Sequence, residues 1–191
     1  MKKLLSEIKS CDHCMPHLEL GPRPVVAANA NSKIIIIGQA PGKKVHQSGI
    51  PWDDPSGEQL RYWLDVDELT FHDPDKFALI PMGFCYPGKG RGGDLPPRPE
   101  CAPKWHDQIL GKMPQAKLTI LIGSYSQSYY LKQEQGINLT ERVKNYSKYL
   151  PEYFPIPHPS PRNRFWLSKN LWFEADVLPV LRQKIFEILN D

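Results

Sequence analysis

Three groups of residues have types and spacings that suit chemistry. The first is sulfur. Cys11 and Cys14 form C-D-H-C, and Cys85 and Cys101 follow, separated by the loop-like stretch YPGKGRGGDLPPRPE. Thiolates are soft ligands that select zinc or iron–sulfur clusters. A Cys-x-x-Cys pair with two further cysteines and none left over suits one shared tetrathiolate site. A redox disulfide between Cys11 and Cys14 is an alternative, and His13 or His17 could replace one sulfur at a zinc ion. The second group is GQAPGKKVHQSGIPWDDPSG, residues 38–57, directly after Ile34-Ile35-Ile36-Ile37. Its glycines let a ligand come close to the main chain, Trp52 offers an aromatic face, and Asp53 and Asp54 offer carboxylates. Those carboxylates suit water activation or stabilisation of a cation, and equally the capping of a helix. His46 is a further candidate for proton transfer or a phosphate contact. The third group is HPSPRN, residues 158–163, where His158 stands between two prolines.

The elements that must hold these groups follow from apolar periodicity. Short apolar runs at 33–37, 77–82, 118–122 and, more weakly, 154–157 read as buried strands. Helical patterns lie at 1–10, 56–64, 102–111, 124–132, 139–150 and 171–189, the last with a kink expected at Pro179. Alternating strands and helices imply a parallel sheet covered on both faces. Ligands of such sheets bind beyond the carboxyl ends of the strands. GQAPG and His158 both sit at such ends.

Composition narrows the class. The chain has 191 residues, enough for one domain spanning 1–191, and 20 are proline, about twice the usual ~5% share. Ordered, extended connections are therefore expected. The net charge of +3 permits a polyanionic partner without demanding one. No apolar run is long enough to span a membrane, and the basic, then apolar, then acidic start does not suit a signal peptide. A cytoplasmic, monomeric protein is expected. GQAPG lacks both G-x-G-x-x-G and G-K-[ST], which weakens a nucleotide-binding loop.

Taken in order, these motifs resemble the uracil-DNA glycosylase superfamily, most closely the iron–sulfur branch called family 4. GQAPG is similar to the first signature, usually GEAPG. GIPW (residues 49–52) is similar to a following G-x-P-F element, and HPSPRN to the second signature. The cysteines have the order C-x2-C, a gap of 70 residues, then C-x15-C. The resemblance covers nearly the whole chain. It implies a three-layer α/β/α sandwich on a central four-stranded parallel sheet. It also implies a structural 4Fe–4S cluster on Cys11, Cys14, Cys85 and Cys101, with zinc as the alternative, and DNA bearing a damaged or deaminated base as the partner.

What the resemblance implies for chemistry can be written residue by residue. Trp52 would stack on an extruded base. Main-chain N–H groups in Gly38, Gln39 and Ala40 would donate to it, and Asn163 would help read it. His158 would donate to the base oxygen that gains charge as the glycosidic bond breaks. Gln39 stands where family 4 usually carries Glu, Val45 and His46 stand where it has an acidic pair, and Pro81 stands where a base-reading Asn is expected. Water activation would then pass to Asp54 or Asp53, with Gln39 orienting the water. Lys43, Lys44, Lys89, Arg91, Arg162 and Arg164 would meet phosphates, and Arg162, Asn163 or Phe165 would fill the gap left by the base. Two other outcomes stay open: a binding module that has lost hydrolysis, and an enzyme acting on free N-glycosides.

Overall fold

The computed structural model describes residues 1–132 and 136–191. Among these, four strands form one parallel sheet: β1 (Ile34–Ile37), β2 (Phe77–Leu79), β3 (Leu118–Ile122) and β4 (Tyr153–Ile156), in the spatial order β2-β1-β3-β4. The helices are α1 (Lys2–Lys9), α2 (Lys43–Ser48), α3 (Pro55–Leu64), α4 (Glu68–His72), α5 (Cys101–Leu110), α6 (Gly123–Tyr130), α7 (Leu139–Lys144), α8 (Arg164–Lys169) and α9 (Leu178–Asn190). None is long and apolar enough to cross a membrane.

Each strand of the sheet is buried on both faces, and alternation along β1 shows how. Ile34 and Ile36 join a core with Leu60, Trp63, Phe71, Phe173 and Leu181, under α3, α4 and α9. Ile35 and Ile37 join the opposite core with Leu4, Ile8, Trp105 and Ile109, under α1 and α5. A strand with both faces covered has no polar side, so the run of four isoleucines is what such a position requires. The α/β/α layering expected above is therefore present. An extended segment also pairs with the outer strand: Ala27 and Leu79 exchange main-chain hydrogen bonds of 3.1 and 2.7 Å, which covers the edge of β2.

Three local differences from the periodicity have physical causes. The helix expected over 139–150 stops at Lys144, where the Asn145 side chain turns back to the Glu141 carbonyl at 2.8 Å; a 3-10 turn, Tyr146–Tyr149, continues. The helix expected over 171–189 begins with a π turn, Phe173–Val177, before α9. Pro179 thus falls in the first turn of α9, where a missing N–H is tolerated. Helices α2, α4 and α8 are too short to show a clear apolar period.

The strand order creates a switch point. From β1 the chain runs outward to β2, then returns past β1 to β3 and continues to β4. The loops after β1 and β3 consequently diverge and leave a crevice at their carboxyl ends.

Candidate functional site

One cavity of about 450 Å³ opens at that edge. The turn after β1 supplies Gly38, Gln39, Ala40, Pro41 and Gly42; the next loop supplies Trp52 and Asp54; β2 leads into Pro81; the segment after β4 supplies His158, Ser160, Arg162 and Asn163. Gly93 and Asp94 close it from the loop between Cys85 and Cys101. The volume suits a nucleobase with part of its sugar, within the roughly 300–1,000 Å³ range of small-molecule sites.

The turn is built so that an indole can lie on the main chain. A Cβ added to Gly38 would stand 2.8 Å from Cζ2 of Trp52, so only glycine leaves the ring its place. Trp52 itself has φ 59°, in the left-handed region that a bulky residue avoids at a cost of about 1–2 kcal/mol. Its surroundings hold it there. The Trp52 carbonyl presses on Gly57, where a Cβ would be 1.8 Å from the oxygen. Asp54 caps α3 by accepting from the Gly57 N–H at 2.8 Å. Strain held this firmly beside a cavity points to positioning.

His158 sits across from the indole, with ring centroids 5.9 Å apart and planes inclined by 36°. Its Nδ1 is buried and has no hydrogen-bond partner among the described residues. Burial lowers the imidazole pKa below its ordinary value, while the Asp54 carboxylate pulls it upward. The ring is thereby biased toward neutrality near pH 7, and a neutral ring donates from one nitrogen only. Gln39 donates from Nε2 to the Leu95 carbonyl at 3.4 Å, and its main-chain carbonyl accepts from the Gly83 N–H at 3.0 Å.

The model of the uracil DNA glycosylase superfamily matches residues 25–182. The chain belongs to that superfamily. Membership supports a DNA glycosylase-like role. The matched span includes every strand and every cavity-lining segment, and it begins after Cys11 and Cys14.

Against the superfamily's chemistry, the expected residues divide clearly. Gly38, Gln39, Ala40, Trp52, Asp54, His158, Arg162 and Asn163 line the cavity together. Asp53 does not: the left-handed turn at Trp52 sends it to solvent while Asp54 turns inward. The Asn163 side-chain amide is engaged, donating from Nδ2 to the His158 carbonyl at 2.7 Å, so it braces the turn that presents the imidazole. His46 is buried outside the cavity, its ring 6.1 Å from Tyr86. Lys43, Arg91 and Arg164 are exposed and stand outside the cavity wall, on segments around its rim. Arg162 reaches the Gly92 carbonyl at 3.2 Å and joins the second signature to the cysteine-flanked loop. Asp94, Ser56 and Ser160 line the cavity without having been singled out. Their contribution depends on loop folding, and the one hint was the constraint that cysteines at both ends place on residues 86–100.

The four cysteines surround a second, much smaller hollow with Leu18, Pro22, Pro24, Phe84, Arg98 and Trp105. Burial drives the Cys85 thiol pKa up to about 11 and that of Cys101 to about 12, and the neighbouring cysteines add to both. Cys14 is raised in the same way by burial and by Glu100, against a hydrogen bond from Arg98. Half-buried thiolates gathered like this need a cation to neutralise them. Donors already face the sulfurs: the Phe84 N–H lies 3.3 Å from Cys101 Sγ, and the Arg23 main chain bonds to Cys85. The donor set therefore fits a thiolate-bound metal group. Among the described residues, no three His, Cys, Asp or Glu side chains are arranged around a single ion.

Helix α5 links the two places. It starts at Cys101 and carries His106, whose Nε2 meets the Pro81 carbonyl at 3.1 Å and whose Nδ1 meets the Tyr130 hydroxyl at 2.5 Å. A carbonyl only accepts, so Nε2 holds the proton and Nδ1 accepts from Tyr130. Pro81 lines the cavity.

Proposed function

We propose that this protein hydrolyses the N-glycosidic bond of a flipped uracil or other deaminated base in DNA. The observation that carries the reading is that Gln39, Trp52 and His158, from three separate segments, face one cavity of about 450 Å³. Extrusion of a base costs a few kcal/mol, which stacking on Trp52 and donation from main-chain N–H groups at Gln39 and Ala40 would offset. The C1′–N bond breaks with its electron pair passing to the base, and the His158 N–H donates to the base oxygen where that charge collects. The second oxygen of Asp54 is left over from capping and supplies negative charge at the cavity wall. Lys43, Arg91, Arg162 and Arg164 come from segments bordering this edge, as phosphate contacts along a DNA strand would require. Phe165, 70% exposed beside them, suits insertion into the vacated step.

In the same reading, Cys11, Cys14, Cys85 and Cys101 hold a 4Fe–4S cluster. The four sulfurs around one hollow support a shared thiolate-bound group, and the C-x2-C, C-x15-C order that resembles the family 4 branch favours a cluster over zinc. Its contribution is a cross-link that ties the N-terminal segment, the 86–100 loop and α5 together.

The test is excision from single- and double-stranded oligonucleotides carrying uracil, hypoxanthine or xanthine. Abasic-site formation on at least one is the expected result, and the absence of cleavage on all of them would end the enzymatic reading. A second reading, a binding module, is favoured by the engagement of Gln39 and Asp54 in structural hydrogen bonds. It predicts tight, salt-sensitive binding to the same oligonucleotides without cleavage.

A further inference from the structure

We propose that Asp94 is the catalytic carboxylate of this cavity, and that Gln39 is the positioning residue that holds it in place. The proposal deepens the function given above and rests on it. Asp94 belongs to a tight hairpin in which the Leu95 N–H bonds to the Gly88 carbonyl at 2.9 Å and the Gly90 N–H to the Gly93 carbonyl at 2.7 Å. The hairpin is docked from two sides, by Gln39 Nε2 on the Leu95 carbonyl and by Arg162 Nη1 on the Gly92 carbonyl. Asp94, itself exposed to solvent, is thereby held at the wall of the same cavity as Trp52 and His158. The Tyr86 hydroxyl, on the same loop, lies within interacting reach of its carboxylate.

The decisive geometry is at Gly42. A Cβ there would stand 3.7 Å from Oδ2 of Asp54 and 3.7 Å from Oδ2 of Asp94. The two oxygens are thus separated by no more than twice that distance. Carboxylate pairs in which one activates a water at a glycosidic carbon stand about 6.5–9.5 Å apart, and the upper bound given by Gly42 reaches into that range. Their duties differ. Asp54 gives Oδ1 to the cap of α3, while Asp94 caps no helix, forms no ion pair among the described residues and has the Tyr86 hydroxyl as a hydrogen-bond partner. Asp94 accepts the proton from water as the water oxygen bonds to C1′ and the C1′–N electron pair leaves on the base; solvent later takes that proton. Both carboxylates face the sugar while it carries positive charge.

This assignment gives a reason for the amide at position 39. A glutamate there has no N–H for the Leu95 carbonyl and would repel the neighbouring Asp94. Gln39→Glu should therefore lower activity, although it restores the residue usual in the family 4 signature.

Two measurements decide the matter. In single-turnover excision on whichever lesion the wild type cleaves, Asp94→Asn should cut the rate by about 100-fold or more with unchanged lesion-DNA affinity. Gln39→Glu should fall as well, its loss lying in the rate. Excision by Asp94→Asn at the wild-type rate, or a gain from Gln39→Glu, would overturn the assignment. The second readout needs no cleavage. The wild type should bind an oligonucleotide with a cationic pyrrolidine abasic analogue about tenfold or more tighter than one with a neutral tetrahydrofuran site, and Asp94→Asn should weaken that preference, with Asp54 left to supply the remainder. A wild type that cleaves nothing would defeat the proposed function, while this charge preference still decides the place of Asp94. Equal preference in wild type and variant would remove Asp94 from the cavity's chemistry.

Discussion

The cavity and the sulfur-lined hollow meet the same loop, the cavity at its middle and the hollow at both of its ends, and are built in opposite ways. The cavity is open and walled by polar groups. It depends on a tryptophan in a left-handed conformation and on glycines that admit no side chain. The hollow is small and enclosed by prolines, aromatics and half-buried thiols. One region accepts strain to keep space for a ligand, and the other gathers groups that favour closure. Residues 86–100 and helix α5 connect them, since the loop leaves and returns at the sulfurs and meets the cavity at Gly93 and Asp94. Rigidity on one side thus supports openness on the other.

The comparison can be broken most severely at the sulfurs. If the four sulfurs hold the cluster proposed above, wild-type protein should carry iron and sulfide with broad visible absorption, and Cys101→Ala should lose both. Because binding of a structural metal group is part of folding free energy, the urea midpoint should fall as well. An unchanged midpoint would separate the hollow from the stability of the loop. His158→Ala should slow excision by about 100- to 1,000-fold, the range for losing a donor to developing charge, with lesion-DNA binding retained in a gel-shift assay. Gly57→Ala drives a methyl group into the Trp52 carbonyl and should cost about 3 kcal/mol in chemical denaturation, together with loss of excision.

A pH experiment sharpens the link between the two regions. Burial holds the His106 pKa at about 4, against 6.5 for an ordinary imidazole. Below pH 6.5 the unfolded chain binds a proton that the folded chain refuses. The stability from the neutral ring is therefore complete above pH 6.5 and drains away as pH falls toward 4, by about 3 kcal/mol. Urea melts across that range should show the slope in wild type and a shallower one in His106→Gln. The smallest effect is expected at the rim: Lys43→Ala should reduce the slope of log affinity against log salt by about 0.9 on duplex DNA, if Lys43 contacts one phosphate.

Much of the scaffold was legible because local rules and burial agree. Four isoleucines with both faces covered can be little else than a central strand, and Ser56 to Leu64 shows helical spacing, although the cap read at Ser56 lies at Asp54, with Pro55 opening the helix. The limits of legibility are equally specific. Asp53 and Asp54 are adjacent and chemically identical, and only the backbone turn at Trp52 sends one outward and one inward. Asn163 suited base recognition by type, yet its amide is occupied by the His158 carbonyl. Asp94 lies in a glycine-rich stretch with no periodicity, so nothing local distinguished it. The short helices α2, α4 and α8 offer too few turns for an apolar stripe to repeat.

The amino-acid sequence by itself determined the alternation of strands and helices, the gathering of motifs at the carboxyl ends of strands and the family to which they point. These are properties of side-chain type and spacing along the chain. The tertiary structure alone decided which carboxylates share the cavity with the indole and the imidazole, that Gln39 is tied to the hairpin, and that the four sulfurs surround one hollow. Those facts depend on loops whose ends are fixed by distant partners, and distances between such segments are set by packing and closure rather than by any local preference.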